Sequence, residues 1–419
     1  MRRINRALIV GTVAVTMSLA ACSTKGGSSG EAKAGAGGVK TDYGVTNDTI
    51  SLGVLVDESG VFKVTGLAQA EGNQLWANDI NKSGGICGRK IKLEVRDDGY
   101  SADKALTLYA GMKNDVAGML QLLGSPIVAA LKSQIESDNM LSIPTSWATG
   151  NLSSKAILQV GATYAIEMIN AMAYVQKQGL IKDNDKLGII YITGEYGNDG
   201  LLGAQHFADE HKQELVKVQI AGTDQDMSAA VTQLKSQGVK AVMVTTTPVQ
   251  TGSVATQMAA QGMADLPIIG VNPTFAPTML DTPAKDALSH FYRGHFVAPM
   301  SADTPIVKKV TQDFADAKYT DPLQDGVNIG YVSGIAYQAV LEQACKDKDM
   351  TRSGIMSAAR KVKVDTQGLT APLDFSKFGQ PATRATYVEQ VDAALPGGVK
   401  IVAPAEASKE AKSMTIPPK

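Results

Sequence analysis

Short apolar runs alternate with longer stretches of helical periodicity through the middle of the chain. Ile50–Val56 leads into a predicted helix over Leu67–Asn81, where Leu67, Ala70, Leu75, Trp76 and Ile80 mark one apolar face. Lys90–Val95 precedes a helical pattern over Ala102–Asn114, Val116–Leu123 precedes Val128–Ser137, and Leu141–Pro144 closes the series. A second series follows, with strands expected at Lys186–Thr193, Leu215–Ile220, Val239–Thr245 and Leu266–Val271. These runs are apolar without strict alternation, which is the signature of strands covered on both faces and hence of parallel α/β layers. Two such series predict an α/β chain with two doubly wound parallel-sheet lobes.

Both ends break this pattern. Met1–Arg6 carries Arg2, Arg3 and Arg6, and Ala7–Leu19 is an apolar stretch of signal-peptide length that ends in Leu19-Ala20-Ala21-Cys22. That ending resembles a bacterial lipobox, so residues 1–21 are expected to be a signal peptide and Cys22 a lipidation site. Cleavage before Cys22 removes three Arg and takes the net charge from −1 to −4. Ser23–Gly38 is almost all Gly, Ser, Ala and Lys, which buries no apolar area. Residues 22–47 are therefore expected to be a flexible linker, reaching roughly 25–30 Å from the membrane surface. The expected location is outside the cell, anchored by lipid to the outer face of the cytoplasmic membrane. Residues 396–419 lack periodicity and are expected to form a loose C-terminal tail.

Composition narrows the function. A 419-residue chain that is 44% hydrophobic can fill real cores, which excludes a wholly disordered protein. Lys+Arg 40 against Asp+Glu 41 offers no basic surface for a nucleic acid. Four His and three Cys are little material for a metal site, and no cofactor is expected. With Cys22 lipidated, Cys87 and Cys345 remain as an even pair in an oxidising compartment, which fits a disulfide. Two separate buried thiols are the alternative.

In doubly wound folds, ligands sit outside the carboxyl ends of the strands. The loops there are Asp57–Gly66, Gly124–Ile127, Pro144–Gly150, Gly194–Asn198, Thr245–Gln250 and Gly270–Phe275. In the first, Phe62 is a ligand candidate, whereas Asp57-Glu58 reads as solvated loop charge. Ser125 opens a helix, where it fits an N-cap and where free N–H groups suit a carboxylate. Ser146 and Trp147 follow a short buried strand, and a Trp beside polar groups suits a cleft wall. Tyr196 offers a ring face and a hydroxyl, and ranks above Glu195. Asn272 offers an uncharged donor and acceptor, and Phe275 offers apolar area.

Enzyme signatures fail. No G-x-S-x-G elbow follows a predicted strand, and no phosphate loop is present. His206 and His211 lie five apart, off a common helical face, and the stretch from Asp183 has Leu187 where a calcium loop needs a ligand. No catalytic activity is expected from these motifs.

Ile80–Val95 (INKSGGICGRKIKLEV), with Asp97-Asp98, resembles a signature of the leucine/isoleucine/valine-binding family, and the resemblance runs from about Ile50 to Val391. It implies a type I periplasmic-binding-protein fold, with two lobes joined by three crossovers that act as a hinge. The crossovers are expected near Val160–Ala162, Val297–Pro299 and Thr370–Pro372. One lobe would then hold residues 48–161 and 299–370, and the other 162–298 and 371–395. The family implies a monomer that hands small solutes to an ABC permease, with a membrane signalling partner as the alternative. Tyr196 matches the family's ligand-contacting Tyr. The family's carboxylate-binding Ser falls near Val128, its acid for an ammonium group falls near Asn272, and its Ala/Thr stretch falls near Thr145–Trp147. The resemblance therefore implies an amino-acid-like, amide-like or apolar/aromatic solute, or a carboxylate seated at the Ser125 helix end, in place of a branched-chain amino acid.

Overall fold

The computed structural model describes residues 33–34 and 36–416. The expected signal peptide and Cys22 lie outside the described residues. Among the described residues, no helix is long and apolar enough to cross a membrane.

Two sheets organise the chain. The first has the spatial order Lys90–Asp97, Thr49–Val56, Gly118–Leu123, Ser142–Thr145, all parallel. Every residue of Gly118–Leu123 is buried, as a central strand covered on both faces requires. The second sheet runs Val399–Glu406, Thr386–Val391, Phe291–His295, Ile268–Val271, Val242–Thr245, Lys186–Ile192, Glu214–Ile220. Thr386–Val391 runs antiparallel to both of its neighbours, so this sheet is parallel-dominated and not purely parallel.

The strand Phe291–His295 was not expected. Arg293, Gly294 and His295 break the apolar pattern, yet all five residues are buried because acids elsewhere in the chain neutralise the basic groups. The expected loose tail is also corrected. Val399–Glu406 forms the edge strand, and the helix Lys409–Ser413 docks through Arg384, which donates to the carbonyls of Ala411 and Met414 at 2.7 and 2.8 Å. A half-exposed edge strand needs no continuous apolar run, and so leaves little trace in the pattern. The linker ends earlier than expected, because Val39 is buried and Lys40–Thr41 pairs in parallel with Asp349–Met350.

The helix Lys63–Lys82 covers the first sheet and packs along the helix Asp325–Lys346. Glycines permit that approach: a Cβ on Gly72 would lie 2.0 Å from the Val327 carbonyl oxygen. A disulfide joins Cys87, in the turn after the first helix, to Cys345 near the end of the second, with Cα atoms 6.0 Å apart.

Segments 157–163, 296–304 and 365–385 connect residues of one sheet to residues of the other. Two of them run side by side, with Val297 bridged to Thr370 and the Ala298 N–H donating to the Leu369 carbonyl at 2.7 Å. Trp147 ties in the third, its indole N–H donating to the Val160 carbonyl at 2.6 Å.

Candidate functional site

The loops at the carboxyl ends of both sheets converge on one cleft of about 380 Å³ empty volume, part of it open to solvent. Each wall is held by local chemistry. After the strand Thr49–Val56, the Asp57 carboxylate accepts from the N–H groups of Ser59, Gly60 and Phe62, curling the loop so that Phe62 turns into the cleft. Asp57 is fully buried, which corrects the expectation of a solvated charge: three backbone donors replace its water.

The next strand, Lys90–Asp97, is followed by Asp98, which accepts the Tyr100 N–H at 2.9 Å and holds Tyr100 at a left-handed φ of 61°. The Tyr100 ring then packs 4.9 Å from Phe62. Gly124 is required beneath it, since its φ is 107° and a Cβ there would meet the Tyr100 ring at 2.4 Å. Gly124, and not Ser125, is the N-cap of the helix Ser125–Ser137. The Ser125 hydroxyl sits in the cleft wall and pairs with the Ser146 hydroxyl at 2.7 Å.

The second wall is aromatic. Tyr164 opens a helix directly after the crossing segment 157–163, packing against Trp147 at 5.9 Å and Tyr196 at 4.8 Å between ring centres. Tyr196 is fixed by its hydroxyl, which donates to the Thr246 carbonyl at 3.0 Å. Trp147 also packs 5.0 Å from Phe296, so it is both cleft wall and core.

Of the expected ligand residues, Phe62, Ser125, Trp147, Tyr196 and Asn272 line this cleft. Ser146 is fully buried one layer behind Ser125. Phe275 lines an adjoining compartment that shares Thr65, Asn272 and Pro273 with the cleft. Glu195 is exposed and lies outside both. Sequence reasoning missed Tyr100 and Tyr164. Tyr100 was findable, because it follows a strand like the other candidates. Tyr164 belongs to a helix start that only the crossover brings round.

None of the side chains lining the cleft is charged. The charges lie behind it. Arg293 donates through Nε to Glu389 at 2.6 Å, through its terminal nitrogens to Asp325, and to the Asn272 carbonyl at 3.0 Å. His295 Nδ1 is 3.2 Å from Glu389. Burial alone would raise Glu389, but Arg293 and His295 hold it below its ordinary range. His295, Asp325 and Glu389 have metal-site spacing, yet both carboxylates already spend their charge on Arg293. Glu167 accepts the N–H groups of Asn272 and Phe296 at 3.0 and 3.1 Å, and burial pushes its pKa well up. It tethers the Asn272 backbone and presents no free carboxylate to the cleft.

Comparison with known proteins gives consistent relatives. The profile of a family described as periplasmic binding protein matches residues 49–396. A fatty acid ABC transporter substrate-binding protein from Thermomonospora curvata is 40% identical, with a TM-score of 0.88 over 92% of this chain and 99% of that one. A branched chain amino acid ABC transporter protein from Thermus thermophilus, solved with valine, superposes with a TM-score of 0.75 over 87% of this chain and 98% of its own, at 15% identity. The Leu/Ile/Val-binding protein homolog 3 of Brucella melitensis is 29% identical over 255 residues, covering 57% of this chain and 68% of that protein.

Proposed function

Since the chain belongs to the periplasmic binding protein family, we propose that this solute-binding component of an ABC importer captures an apolar monocarboxylate in the aromatic cleft. One observation carries the ligand class: the cleft wall combines five aromatic rings (Phe62, Tyr100, Trp147, Tyr164, Tyr196) with hydroxyls and no charged side chain. An apolar body gains from those rings roughly 25 cal/mol per Å² of surface removed from water. Its carboxylate sits at the start of the helix Ser125–Ser137, where first-turn N–H groups and the Ser125 hydroxyl face it. An amino-acid zwitterion lacks a partner for its ammonium group, and a buried unpaired charge costs several kcal/mol. The fatty-acid relative, at 40% identity, supports the same class. Relatives named for ABC transporters favour import over the sensor reading.

The segments 157–163, 296–304 and 365–385 act as the hinge in this reading. Residues 48–161 with 299–370 form one lobe, and 162–298 with 371–395 the other. The strand Val399–Glu406 extends the second lobe, because it completes that sheet. Ligand bridges the lobes, and the closed form docks on the permease. Residues 1–21 direct export, Cys22 carries the lipid anchor, and the protein works as a monomer.

Isothermal titration with n-alkanoic acids, benzoate-type acids and leucine tests the ligand class. Binding of an apolar acid with leucine silent is the expected result. Leucine binding tighter than every acid would overturn it.

A further inference from the structure

The adjoining compartment, which shares Thr65, Asn272 and Pro273 with the cleft, has about 310 Å³ of empty volume, part of it open to solvent, with Phe275, Arg293, His295 and Asp325 among its walls. The strands Ile268–Val271 and Phe291–His295 pair in parallel with Gly270 beside Arg293 and Val271 beside Gly294. Asn272 and His295 are the next residues along the two segments, and both line the compartment. Strand alternation puts Arg293 and His295 on the same face.

Two polar atoms here have no hydrogen-bond partner although both residues are more than nine-tenths buried: Asn272 Nδ2 and His295 Nε2. The rest of each residue is committed. The Asn272 N–H and carbonyl are held by Glu167 and Arg293, and His295 Nδ1 faces Glu389. With Nδ1 facing that carboxylate, Nε2 is the ring atom left to pair with a ligand. Both residues line the compartment, so the two atoms are available to a polar group bound there. Buried polar groups of this kind cost stability unless something pairs with them.

We infer that this compartment is a second ligand subsite that recognises a hydroxyl group, through Asn272 Nδ2 and His295 Nε2, on a solute whose apolar body lies in the aromatic cleft. A hydroxyl both donates and accepts, so it can pair with the amide whichever way that group is turned and with Nε2 in either role. The inference rests on the monocarboxylate reading and narrows it to hydroxylated apolar acids. Arg293 is not offered as a second carboxylate clamp, because its charge is already met by Glu389 and Asp325 and three of its five donors are taken by these acids and the Asn272 carbonyl.

The test is titration of the wild-type chain with a length series of n-alkanoic acids, their mid-chain and terminal hydroxy analogues, and the matching dicarboxylic acids. At least one hydroxy acid is expected to bind about tenfold tighter than its parent. Asn272→Leu, and Asn272→Ala as a second variant, should cut that preference to below about twofold, read as the ratio of hydroxy-acid to parent-acid affinity within the same variant; a ratio still near tenfold in both would overturn the subsite. Thermal unfolding checks that both variants fold. Hydroxy and parent acids binding equally would overturn the subsite and leave the monocarboxylate reading standing. A dicarboxylic acid binding tightest would overturn the hydroxyl assignment. Silence from every acid would overturn both readings.

Discussion

Arg293 illustrates how single residues carry this molecule. It is buried with two carboxylates and a carbonyl around it, so its removal leaves uncompensated charge in the interior. Arg293→Met is expected to lower stability by about 3–5 kcal/mol, read as the urea midpoint at an unchanged slope. A midpoint matching the wild type would show that the network contributes nothing. Tyr196 is a cleaner probe of the cleft. Tyr196→Phe deletes only the hydroxyl bond to the Thr246 carbonyl, whereas Tyr196→Ala also removes a ring from the wall. Titration should find the Phe variant within about threefold of wild type and the Ala variant at least about tenfold weaker. Equal affinities for all three would place the ligand elsewhere. Trp147→Ala would mix two effects, since a buried Trp lost from between Tyr164 and Phe296 costs about 3–5 kcal/mol of stability. At this scale the sequence made Trp147 and Tyr196 legible because each follows a strand. It hid Arg293 and His295, because a basic residue inside a strand makes sense only beside acids distant in the chain.

Elements were legible where burial is two-sided. The strands Thr49–Val56 and Gly118–Leu123 announce themselves as apolar runs because helices cover both faces. The edge strand Val399–Glu406 did not, since its outer side meets water and its pairing is with a strand already inside the sheet. Truncation after residue 398 should therefore destabilise the chain, exposing the Thr386–Val391 edge and removing the partners of Arg384 and His206. Urea unfolding of the shortened chain with an unaltered midpoint would mean that these residues are dispensable. The disulfide makes a related claim about two helices. Cys87 and Cys345 lie 258 residues apart, so their bridge strongly restricts the unfolded chain. Replacing both by Ser should cost about 2–5 kcal/mol. The wild type measured with reductant should fall to the same value, and a reductant-insensitive midpoint would count against the bridge.

For the molecule as a whole, buried acids set the pH response. Burial lifts Asp98 to about 7 and Asp199 to about 6, from an ordinary value of 3.8. Asp199 stays buried by accepting the N–H groups of Thr149 and Ala165, on either side of the first crossing segment. Between about pH 4 and about pH 7 the folded chain holds more protons than the unfolded one, so stability falls as pH rises through that window. The melting temperature is expected to be higher near pH 5 than near pH 8, and Asp98→Asn should flatten the profile. A melting temperature that climbs steadily toward pH 8 would contradict this.

The order of strands and helices as far as Val271, the two βα series, the cysteine pair and most of the cleft loops are legible in the sequence alone. Each depends on local pattern: period, turn chemistry and position relative to a strand end. The tertiary structure alone decided that Tyr164 joins the cleft, that Phe275 belongs to a second compartment, and that Arg293 is neutralised from 32 residues and 96 residues away. Those facts arise from chain crossing and strand register. They bring side chains together through space with no trace in local sequence, because Coulomb and packing energies depend on separation in space and not along the chain.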